Sequence, residues 1–187
     1  PYFTLSDPDE AVRELEWALA RDARVLCMVA GPVWTALGRR SPADPVFDPF
    51  WARVNEAGVA VAYHGGDHGY NDQLAAWGEA GEVESFRATP LKAVLLGNRA
   101  PYDHMAALVC HGLFRRFPNL RVASIEMGTS WVPWLLQSFR RAYGQTPTAF
   151  AESPIDSFRR HIWVAPFHED DVMLLRDLVG AERLPPG

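Results

Sequence analysis

The sequence predicts an α/β protein built on a parallel sheet. Short apolar segments rich in β-branched residues alternate with longer segments of helical period. Four of the short segments are predicted strands, at 24–30, 58–64, 121–126 and 161–166. Strands that are separated by helices in this way form repeated βαβ units, whose strands lie parallel in one sheet.

Five helices are predicted from apolar spacing and from the residues at helix ends. The first begins at Asp7-Pro8-Asp9-Glu10, which offers an N-cap, a proline at the first helical position and a glutamate three residues after the cap. The others are predicted at 47–57, at 102–117, from about Thr129 and after His168. Their apolar stripes are explained by packing on a sheet, without a cofactor.

Composition and charge restrict the class of protein. The 187 residues are 48% hydrophobic, which is enough for one domain spanning 1–187. The net charge of −5, without a cluster of basic residues, disfavours nucleic acid and anionic membrane surfaces as partners. Because no apolar stretch approaches the ~20 residues of a transmembrane helix and no signal-peptide pattern is found, we expect a cytoplasmic protein. Cys27 and Cys110 are predicted to be buried thiols rather than a disulfide.

His64 is the strongest candidate for a metal ligand. Strand alternation places it on one face with Ala60 and Ala62, at the end of a strand that Gly65 and Gly66 follow. Glycines allow the backbone to approach a metal or substrate closely, and neutral imidazole is the commonest nitrogen ligand of divalent metals. The alternative is a strand-end histidine that is hydrogen-bonded to a neighbouring loop.

Glu126 is the candidate catalytic residue. It ends its own strand as His64 ends another, and alternation places it on the same face as Ser124. A carboxylate at this place could bind a metal, act as a general base or orient a metal-bound water. It could equally pair with an arginine of a neighbouring loop, such as Arg39 or Arg40.

Two further histidines follow strands. His68 lies in the predicted loop 65–82, and His168 precedes three acidic residues. Both could reach a site above the strand ends, although His168 could instead belong to a helix N-terminus. The sequence contains no GxGxxG, GxxxxGK[ST], GxSxG or HExxH motif and no paired CxxC, so nucleotide binding and serine catalysis have no positive support.

Three segments resemble proteins of the amidohydrolase-2 family, which includes enzymes similar to aminocarboxymuconate-semialdehyde decarboxylase. They read FDPFWARVNEAGVAVAYHGGD, HGLFRRFPNLRVASIEMGTSWVPWLL and FRRHIWVAPFHEDDVMLLRDLVGAERL. The resemblance covers nearly the whole chain. Its most specific part is RFPNLRV followed by W-x-P-W, and the order and spacing of all three segments support it.

The resemblance implies a partial (β/α)8 TIM-type barrel, from roughly the end of strand 3 through strand 7. It also implies one divalent metal, usually zinc, held by an HxH pair on the first strand, a histidine on the fifth and an aspartate on the eighth. Only the fifth-strand histidine maps here, onto His64. The sequence has no HxH, ends before the expected GSD-[WFY]-PH segment, and is shorter than the about 250 residues typical of a complete barrel.

The reaction implied is hydrolysis of a C–N or C–O bond, or hydration, of a small molecule by a metal-activated water. Decarboxylases of the family carry a histidine at the end of the sixth strand, where this sequence has Glu126. Decarboxylation of a carboxylated small molecule stays an alternative, as does an inactive fragment that lacks most metal ligands. We expect His68, Trp131 and His168 to contact substrate. The open sheet edges of a partial barrel also favour a homodimer.

Overall fold

The computed structural model describes residues 1–66, 69–79 and 89–181. Its strands are β1 (Val25–Val29), β2 (Val33–Thr35), β3 (Gly38–Arg40), β4 (Ala60–His64), β5 (Arg121–Ile125) and β6 (Ile162–Val164). Four of them form one parallel sheet in the order β1-β4-β5-β6, and β2 pairs with β3 as an antiparallel hairpin. The predicted parallel sheet is therefore confirmed, with all four predicted strands in it.

Helices connect the parallel strands. They are α1 (Pro8–Leu19), α2 (Asp48–Ala57), α3 (Asn71–Ala76), α4 (Pro90–Leu96), α5 (Arg99–Cys110), α6 (Leu113–Arg116), α7 (Trp131–Gln145), α8 (Pro154–His161) and α9 (Val172–Val179). The predicted cap of α1 is present, because the Asp7 carboxylate accepts hydrogen bonds from the backbone N–H groups of Asp9 and Glu10. None of the described helices is long and apolar enough to cross a membrane.

The N-terminal residues extend the sheet beyond β1. Tyr2 forms a parallel bridge with Cys27, the Phe3 N–H donates to the Cys27 carbonyl at 2.8 Å, and the Cys27 N–H donates to the Pro1 carbonyl at 2.9 Å. The described chain thus runs from the end of one strand through four consecutive parallel strands. This is the partial barrel, from the end of strand 3 through strand 7, that the sequence predicted.

The two faces of the sheet differ in burial. Val61 and Val122 are paired in register, as are Tyr63 and Ser124, and all four are fully buried in the core formed with the helices. The opposite face carries small side chains, of which Ala60 and Ala123 are half-buried, and this fits a barrel interior.

The structure corrects several details of the prediction. The helix expected at 102–117 is two helices, because Gly112 adopts a left-handed backbone with φ 67° between α5 and α6. The β2–β3 hairpin is absent from the four predicted strands, because its three-residue strands are too short to give a pattern. Both cysteines are free thiols, as expected, but neither is buried as predicted, since Cys27 is half-buried and Cys110, the last residue of α5, is exposed.

Candidate active site

The carboxyl ends of β1, β4, β5 and β6 lie at one edge of the sheet, and His64 is the last residue of β4. It lies between Val29 at the end of β1 and Ile125 at the end of β5, each paired with it in register. Its side chain is 42% exposed, so the imidazole is accessible at the edge where barrel enzymes place their chemistry.

His64 and Glu126 are in direct contact. His64 Nε2 lies 2.8 Å from Glu126 Oε2, and His64 Nδ1 lies 2.7 Å from the carbonyl oxygen of Gly65. A carbonyl can only accept, so Nδ1 carries a hydrogen and donates it. Nε2 is directed at Glu126 Oε2, and a contact of 2.8 Å between these two atoms requires a hydrogen between them. Metal-binding histidines are commonly held in this way, with the second ring nitrogen donating to a backbone carbonyl.

A left-handed turn brings Glu126 to His64. β5 ends at Ile125, and Glu126 adopts φ 55°, a conformation that non-glycine residues rarely take. The prediction that Glu126 shares a face with Ser124 is wrong for this reason. Ser124 is fully buried against the helices, whereas the carboxylate of Glu126 is 63% exposed and reaches the His64 side of the sheet.

Gly65 allows this close approach. Its N–H donates to the carbonyl of Ile125 at 3.2 Å, and a Cβ placed on Gly65 would lie 2.8 Å from the carbonyl oxygen of Glu126. That distance is shorter than side chains tolerate, so glycine at this position permits the contact between the two strand ends.

Trp131 and Phe167 support the same turn from other sides. Trp131 is 1% exposed, and its indole N–H donates to the carbonyl of Gly128 at 2.9 Å. Gly128 is also left-handed, with φ 60°, and a Cβ there would lie 3.0 Å from the Phe167 ring. Trp131 was expected to contact substrate, but its burial and occupied N–H favour a role in holding the segment after Glu126.

The other candidate residues lie apart from this pair. His168 is 96% exposed and contacts Glu169 at 2.8 Å, and α9 begins later, capped by the Asp171 carboxylate. Arg39 and Arg40, the alternative partners of Glu126, instead pair with Asp72 and Asp44 respectively. The expected contact of His68 with substrate falls outside the described residues.

A layer of polar side chains lies beneath His64, on the helix side of the sheet. The hydroxyls of Tyr63 and Ser124 are buried, and neither has a hydrogen-bond partner among the described residues. Burial raises the pKa of Tyr63 well above its usual value, because the phenolate would lose its hydration. The ring of His104 packs on Tyr63 with centroids 3.9 Å apart, and its Nδ1 accepts the Gly31 N–H at 2.9 Å.

A family model described as amidohydrolase matches residues 2–184. The chain belongs to the amidohydrolase family. Its predicted resemblance to amidohydrolase-2 proteins is therefore confirmed over almost the whole sequence.

Solved structures share the fold of this amidohydrolase chain. An amidohydrolase from Mycobacterium avium subsp. paratuberculosis is 38% identical, with a TM-score of 0.91 over 98% of this chain and 46% of its own. A 5-carboxyvanillate decarboxylase from Sphingomonas paucimobilis is 20% identical, with a TM-score of 0.69 over 98% and 53%. A dihydroxybenzoic acid decarboxylase from Polaromonas sp., with bound manganese and 2-nitroresorcinol, is 20% identical, with a TM-score of 0.71 over 96% and 54%. A comparison with curated proteins finds no match.

The amidohydrolase chain spans about half the length of these structures. Within residues 1–66, 69–79 and 89–181, no group of three or more His, Cys, Asp or Glu side chains is arranged to hold a metal ion. The hydrogen bond between His64 Nδ1 and the Gly65 carbonyl nevertheless fits a metal ligand, since it directs Nε2 to the exposed strand end, where a metal would take the place of the hydrogen shared with Glu126.

Sequence reasoning missed the residues that position this pair in the amidohydrolase chain. Gly128, Phe167 and His104 act through tertiary contacts, which strand and helix patterns do not report. The one available signal was the glycine that follows Glu126 by two residues, because glycine after a strand often marks a left-handed turn.

Proposed function

We propose that this chain supplies the fifth-strand ligand and the acid–base carboxylate of a metal-dependent hydrolase. In a protein of the relatives' length, the enzyme would act on a C–N or C–O bond of a small molecule. The observation that carries the proposal is the contact between His64 Nε2 and Glu126 Oε2, 2.8 Å apart at the exposed ends of neighbouring strands.

His64 would hold the metal through Nε2, while the Gly65 carbonyl fixes the ring by accepting the Nδ1 hydrogen. When bound, a divalent metal supplies a water whose pKa falls far below that of bulk water, towards ~7, so that hydroxide is available at neutral pH. We propose zinc as the metal. The manganese in the dihydroxybenzoic acid decarboxylase supports a divalent metal at this site and makes manganese the alternative.

Glu126 would move the proton. Its carboxylate, beside His64 Nε2, would accept a proton from the attacking water while the water oxygen bonds to the electrophilic carbon. The bond from that carbon to nitrogen or oxygen then breaks, and Glu126 returns the proton to the leaving atom. The supports at Gly65 and Gly128 keep the carboxylate at this distance, which general acid–base catalysis requires.

Decarboxylation of a carboxylated small molecule is the second candidate. The decarboxylases among the solved structures share the fold, and their presence favours this reaction as the alternative within the family. Glu126 favours hydrolysis over decarboxylation. Its exposed carboxylate, beside the proposed metal position, suits proton transfer from water, whereas it would repel the like charge of a substrate carboxylate.

The test compares the two reactions in a protein of the relatives' length, loaded with zinc or with manganese. Amides, esters and lactones are assayed for hydrolysis, and aromatic acids are assayed for release of carbon dioxide. We expect metal-dependent hydrolysis that is lost in Glu126→Gln. Release of carbon dioxide without hydrolysis would replace the first candidate with the second.

The 187-residue chain by itself is proposed to be inactive. It offers one of the four expected ligands, and a single imidazole does not hold zinc against water. Binding of one equivalent of zinc by this chain at micromolar affinity, measured by calorimetry, would contradict this part of the proposal.

A further inference from the structure

A cavity lies at the end of the sheet where the strands begin, opposite to His64 and Glu126. Phe114 lines this cavity and stacks on His161, with the two ring centroids 4.5 Å apart. His161 is the last residue of α8, directly before β6, and its Nδ1 lies 2.9 Å from the carbonyl oxygen of Leu120, directly before β5. The cavity is therefore separated from the proposed active site by the length of the strands.

The cavity is small and has a largely apolar wall. It has a volume of about 240 Å³ and lies between the end of α5, α6 and the start of α8. The apolar lining residues that the argument uses are Val109, Phe114, Phe150 and Pro154. Because pockets for drug-sized ligands measure about 300–1,000 Å³, this cavity suits a smaller molecule with a short apolar part.

The inner face of α8 brings a buried hydroxyl to the cavity. Ser157 is 7% exposed and lines the cavity together with Pro154, which lies one turn earlier in the helix. The N–H of Ser157 donates to the carbonyl of Ser153 at 3.0 Å, but its hydroxyl has no hydrogen-bond partner within residues 1–66, 69–79 and 89–181. A buried hydroxyl without a partner is destabilising, so this one indicates a ligand with a polar group.

Arg115 adds a positive charge to the same cavity. Its side chain is exposed, and it forms no ion pair or hydrogen bond with any residue that the structure describes. The neighbouring Arg116, in contrast, pairs with Asp48. Glu152 also lines the cavity, but its two carboxylate oxygens lie 3.0 and 2.9 Å from Arg160 Nη1, so its charge is already balanced. The guanidinium of Arg115 is therefore available to an anion.

The charges around the cavity favour an anion with a single charge. Glu152 lines the cavity, and Asp156 lies in the first turn of α8, so both carry negative charge at this end of the helix. A phosphate dianion would be repelled by both. A carboxylate carries one charge, which the guanidinium of Arg115 can balance while it donates two parallel hydrogen bonds.

We propose that this cavity binds a small carboxylate with a short aliphatic chain, at a site separate from the active site. In the bound state the guanidinium of Arg115 donates to the carboxylate, and the hydroxyl of Ser157 donates to one of its oxygens. The aliphatic chain lies against Phe114 and Phe150. The inference is independent of the proposed function, because it involves neither the metal nor the reaction.

The test measures the rate at which iodoacetamide alkylates Cys110, in a protein of the relatives' length. Cys110 lines the cavity, so a bound ligand should slow its alkylation, whereas Cys27 of β1 should react at an unchanged rate. Mass spectrometry of the digested protein separates the two cysteines. Because desolvation raises the pKa of the Cys110 thiol, the reaction is run at mildly alkaline pH, where more of the reactive thiolate is present.

The probes are hexanoate, hexanamide, acetate and inorganic phosphate, compared at constant ionic strength. We expect hexanoate to slow the alkylation of Cys110 in a saturable way. Hexanamide lacks the charge, acetate lacks the chain and phosphate carries a second charge, so each of these three should protect Cys110 more weakly. Equal protection by any of the three, or no saturable protection by hexanoate at tens of millimolar, would overturn the inference.

Arg115→Gln and Ser157→Ala test the two polar groups of the cavity. Each substitution removes a hydrogen bond to a charged ligand, so the affinity for hexanoate should fall by about tenfold or more. Arg140→Gln is the matched control and should leave the affinity unchanged, because Arg140 is also exposed and without a described partner but lies on α7, away from the cavity. Unchanged protection in either cavity variant, or an equal loss in Arg140→Gln, would contradict the proposed site.

Discussion

Replacing Trp131 with phenylalanine removes the hydrogen bond that holds the turn after Glu126. The indole of Trp131 is 1% exposed and donates to the Gly128 carbonyl at 2.9 Å, so the variant leaves a buried acceptor without its donor. Such a loss costs about 1–3 kcal/mol. In a protein of this size that lowers the melting temperature by roughly 2–12 °C. Because Gly128 lies two residues from Glu126, we also expect the carboxylate to lose its fixed distance from His64.

Trp51 provides a matched comparison for this variant. It is also fully buried, and its indole N–H donates to the Pro42 carbonyl at 2.8 Å, in a loop before α2. Trp51→Phe should therefore lose about the same stability, about 1–3 kcal/mol, without changing the site.

Two measurements separate the variants. Unfolding by denaturant gives the stability of each, and the rate of metal-dependent hydrolysis in a protein of the relatives' length reports whether Glu126 keeps its position. Loss of an orienting residue usually costs about 10–100-fold in activity, and we expect this loss only in Trp131→Phe. Equal rates in the two variants, at equal loss of stability, would refute the idea that Trp131 positions the turn.

Three further substitutions test other parts of the account. Gly65→Ala should lower the free energy of unfolding by about 1–3 kcal/mol, measured with denaturant, because the new Cβ would lie 2.8 Å from the Glu126 carbonyl oxygen. Gly144→Ala is the control and should not lower it, because the space around its Cβ is open. Tyr63→Phe should leave stability unchanged or raise it by up to about 1 kcal/mol, since the buried hydroxyl has no described partner; a clear loss would show that it has one. Asp7→Ala should lower stability by about 0.5–2 kcal/mol through loss of the α1 cap, and an unchanged melting temperature would argue against it.

The parallel sheet could be predicted because its strands are strongly patterned. In β4 the large apolar residues Val61 and Tyr63 alternate with alanines, in β5 Val122 is followed by Ala123 and Ser124, and a glycine follows each strand within three residues. The end of α2 at Gly58 and the N-cap of α1 at Asp7 could also be predicted, because both depend on local backbone chemistry. The β2–β3 hairpin could not be predicted, since its strands, in which Trp34 pairs with Arg39, are only three residues long.

The positions of His64 and Glu126 at strand ends were predicted, but their direct contact was not. Alternation gives the direction of a side chain only while the strand continues, and Glu126 lies just after β5 in a left-handed conformation. That conformation depends on tertiary contacts, namely the approach of Gly65 to the Glu126 carbonyl and of Phe167 to Gly128. Sequence patterns carry no information about such contacts.

The central claim is that His64 binds the metal through Nε2. The most direct measurement is zinc binding by calorimetry in a protein of the relatives' length, comparing His64→Ala with His111→Ala. His111 is an exposed histidine whose Nδ1 lies 2.7 Å from the Ser41 hydroxyl, away from the strand ends. We expect His111→Ala to bind one equivalent as the unaltered protein does. His64→Ala removes the proposed ligand itself, so its zinc affinity should fall by more than the ~10–100-fold that loss of an orienting residue costs. Equal zinc affinity in the two variants would contradict the claim.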